Sequence, residues 1–225
     1  MKHRFAKIAV GVASAVMVSL SGFADVVYNN STTYSGSYVT STTEFGDQIF
    51  TVGPTVNNRI TDFQFEYYGS LAPNASGRTA VVKFYANDGA PVGGAATPGT
   101  TALYTSPSFS LAAGYNTVNI VALGANNVFI PSNGSITWTV SFSGLQAGEA
   151  VGLLIYERPS IGNSNIDYWQ KDSGGAWALK QIAGGSPAAN FGAKLTALPE
   201  PSILQLTGLA GAFLAGLAGY RRYSK

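Results

Sequence analysis

Between Asp25 and Leu198 large apolar residues return at every second position and almost nowhere at the 3.6-residue interval of a helix. The clearest run is Ile136-Thr137-Trp138-Thr139-Val140-Ser141-Phe142, where big side chains alternate with small hydroxyls, as in a strand with one face on a core. Ile60 to Tyr67 repeats the pattern, with Asp62, Gln64 and Glu66 on the opposite side. Further strands are expected at Gln48 to Val52, Thr79 to Ala86, Thr101 to Thr105, Asn116 to Val121, Ala150 to Tyr156, Asp167 to Lys171, Trp177 to Ile182 and Phe191 to Ala197. Val151 to Ile155 is apolar without a break, which suits a central strand covered on both faces. Turn-forming groups such as Asn87-Asp88-Gly89, Ser132-Asn133-Gly134 and Ser173-Gly174-Gly175 separate the runs. About ten short strands spaced in this way predict an all-β domain, an antiparallel β-sandwich of jelly-roll type. Asn29 to Thr43, nearly all small and polar, reads as an exposed lead-in or an edge segment, and Asn87 to Thr101 as the longest loop.

The two ends of the chain follow different rules. Lys2, Arg4 and Lys7 precede an apolar run from Ile8 to Leu20, and Gly22-Phe23-Ala24 supplies small residues where a signal peptidase reads them. Residues 1–24 are therefore expected to be a secretory signal peptide cut after Ala24, leaving a sandwich domain at 25–197. At the other end, Leu198-Pro199-Glu200-Pro201-Ser202 leads into an apolar segment from Ile203 to Gly219, followed by Tyr220-Arg221-Arg222. As a helix, Ile203 to Tyr220 would reach roughly 27 Å, enough to span the hydrocarbon core of a bilayer. Pro199 and Pro201 favour open, extended backbone before it. The basic residues after it belong on the cytoplasmic side, so the domain in front is expected outside.

Once the ends are set aside, the body carries seven basic and ten acidic residues, a net charge near −3, which gives no support to nucleic-acid binding. The chain has no cysteine, and its one histidine, His3, lies in the leader. Disulfides, thiolate chemistry, histidine-bound zinc and Ser-His-Asp catalysis are thus excluded from the mature domain.

Together, the Pro-Glu-Pro tripeptide, the Gly/Ala/Leu-rich segment and the arginine-containing end resemble the C-terminal sorting signal of PEP-CTERM proteins. The resemblance implies recognition by an exosortase-like processing enzyme, with Pro199, Glu200 and Pro201 as the sorting motif and Arg221 and Arg222 as the cytoplasmic stop. Residues 198–225 would then be the sorting segment. The chain would be tethered to the inner membrane through its C-terminal helix, then released to the cell surface or beyond in a Gram-negative bacterium with an exopolysaccharide or biofilm matrix. Glu44-Phe45-Gly46-Asp47, Phe84-Tyr85-Ala86-Asn87-Asp88-Gly89 and Asp167-Tyr168-Trp169 are similar to motifs of a sandwich domain that recurs in that family.

Three kinds of chemistry remain for the body. A glycosidase-type enzyme needs two carboxylates across a cleft, and Glu44, Asp47, Asp88, Glu149, Glu157 and Asp167 are available, but no spacing pairs any two of them. No catalytic residue is assigned. Calcium would take oxygen donors such as Glu44, Asp47 and Asp88, although no loop has the dense Asp/Asn spacing of a dedicated site, and no cofactor is otherwise expected. Polysaccharide would be held by rings that stack on the apolar faces of sugars, for which Tyr67, Tyr68, Tyr156, Tyr168 and Trp169 are candidates, with Trp177 near the last two in sequence. The expected function is an exported, surface-sorted structural or binding component of the envelope or matrix; the alternative is a carbohydrate-binding module. The binding reading requires exposed aromatics grouped on one face. The structural reading requires Trp138, Trp169 and Trp177 to be buried.

Overall fold

The computed structural model describes residues 24–53, 58–73 and 76–198; the expected signal helix, sorting motif and membrane helix lie outside these residues. The strands are β1 (Asp25–Asn30), β2 (Tyr34–Thr40), β3 (Phe45–Phe50), β4 (Arg59–Ser70), β5 (Thr79–Ala86), β6 (Tyr104–Thr105), β7 (Phe109–Ser110), β8 (Gly114–Ile120), β9 (Ser135–Ser143), β10 (Ala150–Tyr156), β11 (Asn163–Ser164), β12 (Asp167–Lys171), β13 (Trp177–Gln181) and β14 (Ala193–Leu198). They form two antiparallel sheets. One runs β1-β14-β4-β10-β2, with β8 on the free edge of β4; the other runs β13-β12-β3-β9-β5, with β6 and β7 along β5 and β11 beside β12 on β3. The expected all-β, sandwich-like fold is observed.

Chain order and sheet order differ because the chain passes from one sheet to the other between most consecutive long strands, as from β3 to β4, β4 to β5, β8 to β9 and β9 to β10. The hairpin β12–β13 is different, its strands being joined by a tight turn at 172–176 in which the Ala176 N–H donates to Asp172 Oδ1 at 2.9 Å. β4 is the longest strand and organises its sheet. Its first half pairs with β14 and its second half with β10 on the same edge, and at the fork the Glu66 N–H donates to the Gly192 carbonyl at 3.0 Å.

The alternating runs place their large side chains between the sheets. Ile60, Phe63, Phe65 and Tyr67 from β4 meet Ile136, Trp138, Val140 and Phe142 from β9 in one buried cluster. Trp138 is at its centre, with ring centroids 5.1 Å from Phe63, 5.7 Å from Phe65 and 6.4 Å from Phe191. β10 is buried along Val151–Tyr156, as its unbroken apolar run predicts.

Three expectations need correction. β1 has no counterpart among the expected strands, although the edge segment expected within 29–43 is observed as the edge strand β2. The strand expected at Thr101–Thr105 contracts at its N-terminal end to Tyr104–Thr105, although the Leu103 N–H still donates to the Phe84 carbonyl at 2.7 Å. The hydroxyl face of β9 does not look onto solvent: Thr137 and Thr139 are fully buried. Burial of these hydroxyls is tolerable because each has an acceptor, Asn87 Oδ1 at 2.6 Å for Thr137 and Glu44 Oε1 at 2.8 Å for Thr139.

Candidate functional site

Five tyrosines from four strands converge on the outward face of the β4 sheet. Tyr34 and Tyr38 come from β2, Tyr68 from β4, Tyr115 from β8 and Tyr156 from β10. Their rings form a connected series: Tyr38 to Tyr68 at 5.0 Å, Tyr68 to Tyr115 at 4.9 Å, Tyr115 to Tyr34 at 5.7 Å and Tyr34 to Tyr156 at 5.7 Å. The geometries are tilted or edge-on, with interplanar angles between 40° and 79°. Such packing holds each ring against its neighbour. Tyr115 is the crown, 66% exposed, and Tyr38 is 38% exposed, whereas Tyr156 is buried beneath them.

Local backbone explains how so many rings fit. Tyr68 and Tyr115 are direct cross-strand partners, and so are Tyr34 and Tyr156. Gly152 lies between Tyr68 and β2, where a Cβ would stand 2.7 Å from Tyr38 Cδ2 and 2.4 Å from the Val39 carbonyl oxygen. The Tyr38 ring therefore leans over a glycine to reach Tyr68. Gly192 does the same for Tyr156, since a Cβ there would be 2.5 Å from Tyr156 Cε2. This clearance lets the Tyr156 hydroxyl donate to Glu66 Oε2 on β4. Burial, then the bond to Glu66, raises the Tyr156 hydroxyl far above the ordinary tyrosine range. Burial and then the neighbouring Tyr115 hydroxyl push Tyr34 up to about 12.

Polar groups from this sheet and from the loops beside it flank the rings. A hollow of about 500 Å³ beside Tyr156 is lined by Ser35, Glu157, Arg158, Pro187, Ala188 and Asn190. A smaller groove of about 180 Å³ farther along β4 carries Asp62, Gln64, Asn119, Lys194 and Thr196. An aromatic surface bordered by amides, hydroxyls and a few charges presents stacking faces together with hydrogen-bond partners.

The candidate ring residues do not form one site. Tyr68 belongs to the tyrosine cluster, but its neighbour Tyr67 points into the core, where its hydroxyl accepts the Ala112 N–H at 2.8 Å. Tyr168 is also in the core, packed on Phe45 and Phe191. Trp169 faces away from the core cluster yet is only 1% exposed, paired in register with Gly46 on one side and Leu179 on the other. Trp177 is partly buried on that second sheet, edge-on to Tyr85 at 5.4 Å. Trp138 and Trp169 thus meet the burial requirement of the structural reading; Trp177 meets it in part. Tyr34, Tyr38 and Tyr115 are absent from the sequence-derived ring candidates because no short-range pattern links positions so far apart.

The expected calcium donors are likewise dispersed. Glu44 sits on the outer face of the second sheet, where Oε1 accepts from Tyr85 at 2.7 Å and Thr139 at 2.8 Å, and Oε2 from Lys83 and Lys171, both at 3.0 Å. Its oxygens are fully engaged, and Lys171 is further held over the Trp177 ring at 4.7 Å. Asp47 lies inside the sandwich and Asp88 on an exposed turn. Glu149 is taken up by a two-pronged bond from Arg78, both contacts at 2.9 Å, which holds its carboxyl down at about 2. Ala24, the expected signal-cleavage residue, is the first described residue, while Pro199, Glu200, Pro201, Arg221 and Arg222 lie outside the described residues. Comparison of the chain with protein-family models, curated proteins and solved structures yields no match.

Proposed function

We propose that this protein is an exported, surface-sorted polysaccharide-binding module that engages its ligand through the tyrosine face of the β4 sheet. The connected cluster of Tyr34, Tyr38, Tyr68, Tyr115 and Tyr156, with its two ring-clearing glycines, is the observation that carries this reading. Tyr115 and Tyr38 offer partly open ring surface for the apolar faces of sugars, and the flanking Gln64, Asn119 and Ser35 offer partners for hydroxyls. Sheets pinned by this much internal aromatic packing present the rings without first having to order them, which favours binding of an extended chain.

The wider setting rests on sequence. A signal peptide ending at Ala24 brings the chain across the membrane, and the segment from Pro199 holds it there until an exosortase-like enzyme acts. The sandwich, of jelly-roll type, then serves in the envelope or matrix as a non-catalytic component.

Removing Tyr115 and Tyr68 together tests the binding claim. Each ring contributes about 1.5 kcal/mol of stacking, so Tyr68→Ala/Tyr115→Ala is expected to weaken polysaccharide binding by roughly a hundredfold. Affinity electrophoresis against a panel of soluble polysaccharides reads this directly. Trp177→Phe, on the other sheet, should leave the affinity unchanged; an unaltered affinity in the double variant would overturn the proposal. The sorting claim is tested by mass spectrometry of surface material, whose C-terminal peptide is expected to end near Pro199–Pro201. Recovery of Lys225 would reject processing.

A further inference from the structure

β3 turns Phe45, Asp47 and Ile49 toward the space between the sheets, so the fold carries a carboxylate into a region built for apolar side chains. Asp47 is completely buried. Its Oδ2 accepts the Ser164 hydroxyl at 2.7 Å, but Oδ1 has no partner among the described residues. Two more buried oxygens lie on groups tied to the same residues: Asn30 Oδ1, which has no partner among the described residues, and the Tyr28 hydroxyl, whose one side-chain neighbour for a hydrogen bond is Ser164. All of them are tied to the same few groups. Asn30 donates its amide to the Phe191 carbonyl at 3.2 Å, the Phe191 and Gln48 N–H groups both face the Asp47 carboxylate, and the Tyr28 hydroxyl lies against Ser164 and Asp47.

Such a group of orphans is expensive. A buried polar atom without a partner costs a few kcal/mol and a buried unpaired charge more. Repulsion from a second carboxylate, Asp167 on β12, pushes the Asp47 carboxyl up further, and among the described residues neither has an ion-pair partner. The strand ladder makes room at this point. β11 pairs with Ile49 and Phe50 and β12 with Phe45 and Gly46, so the edge of β3 is interrupted opposite Asp47, where Asn165 and Ile166 do not pair with β3 and the Ile166 side chain is exposed.

We infer that Asp47, Asn30, Tyr28 and Ser164 form an inter-sheet site for a hard divalent cation, calcium, with Asp167 balancing its second charge. The donor set contains only oxygen, which disfavours zinc. Magnesium keeps most of its water shell and demands regular octahedral geometry, whereas calcium accepts irregular arrangements of carboxylate, amide and hydroxyl oxygens. No three carboxylates or imidazoles converge among the described residues, so the remaining positions fall to backbone carbonyls and water. This site differs from the expected Glu44, Asp47 and Asp88 combination and shares only Asp47 with it.

The test uses the full-length chain in detergent. Calcium at a hundredfold excess over its Kd is expected to raise the thermal midpoint by roughly 5–10 °C relative to chelator, with magnesium giving much less. Asp47→Asn should abolish the shift. Because that variant carries a core change, Tyr28→Phe, which preserves the ring, serves as a second probe and should lower calcium affinity severalfold. Terbium provides a direct readout: tyrosine-sensitised luminescence should appear on binding, be displaced by calcium and fall in Tyr28→Phe. The inference is overturned if wild type shows no saturable calcium effect, or if the effect persists undiminished in both variants. A midpoint that is insensitive to calcium yet rises in Asp47→Asn would identify Asp47 instead as a neutral buried acid.

Discussion

Trp138→Ala is expected to destabilise the sandwich by about 3–5 kcal/mol, the upper end of what truncating one core side chain costs. Its indole is completely buried and bridges the two sheets, touching Phe63 and Phe65 from the facing sheet as well as Phe191. Its indole N–H has no partner among the described residues, so the substitution forfeits no hydrogen bond and the loss is one of packing. The cavity would be large and walled by rings anchored on long strands, which leaves little scope for collapse. At roughly 2–4 °C per kcal/mol for a domain of this size, the thermal midpoint should fall by about 10 °C or more. Urea unfolding followed by far-UV circular dichroism measures it; a loss under 1 kcal/mol would show that the sheets do not meet at this residue.

Glu44→Gln should cost about 2–4 kcal/mol, although it changes a single atom in the side chain. The carboxylate receives hydrogen bonds from Tyr85, Lys83, Thr139 and Lys171, and an amide replaces one accepting oxygen with a donor aimed at two ammonium groups. The same cluster predicts a pH response. Burial pushes the Glu44 carboxyl up, but the bonds from Tyr85, Lys83, Thr139 and Lys171 outweigh it and hold the group below the ordinary carboxylate range. Because the folded pKa is the lower one, the contribution is fully present above the unfolded value near 4.3 and disappears as the pH falls through the folded value. Wild type should therefore lose stability on acidification below about pH 4.5, and Glu44→Gln should lose less of it over that window. Denaturant midpoints for both proteins from pH 3 to 7 check this. Lys83→Met is expected to cost under 1 kcal/mol, because its ammonium is partly exposed and Lys171 still neutralises the acid.

Period two in the sequence identifies β4, β5, β9 and β12 and assigns the inward faces of β4 and β9, because half-burial writes itself into alternate residues, whereas β10 is legible from its unbroken apolar run. The crossing of the chain between sheets leaves no such trace, since a turn at Asn87-Asp88-Gly89 reads the same whether the chain reverses in one sheet or passes to the other. Thr137 and Thr139 look solvent-facing in sequence because small hydroxyls suit a wet face equally well. Only the arrival of Asn87 and Glu44 from distant segments shows that they are buried. The tyrosine cluster was partly legible: adjacent residues in a strand face opposite ways, so one of Tyr67 and Tyr68 had to point outward. Its partners stand at positions 34, 38, 115 and 156, and their meeting depends on the order of β2, β10, β4 and β8. β1 was missed because it lacks alternating large residues, and its place is held by main-chain pairing with β14.

The placement of β14 has a mechanical consequence. It is an interior strand, zipped to β1 on one side and to β4 on the other, and its last residue, Leu198, is where the described chain ends. A pull applied at Leu198 along the strand axis loads both ladders in parallel, so many bonds must shear at once before the strand slides. An edge strand peeled from its side would surrender them one by one. The domain is thus better placed to bear tension at the end of β14 than at the end of an edge strand.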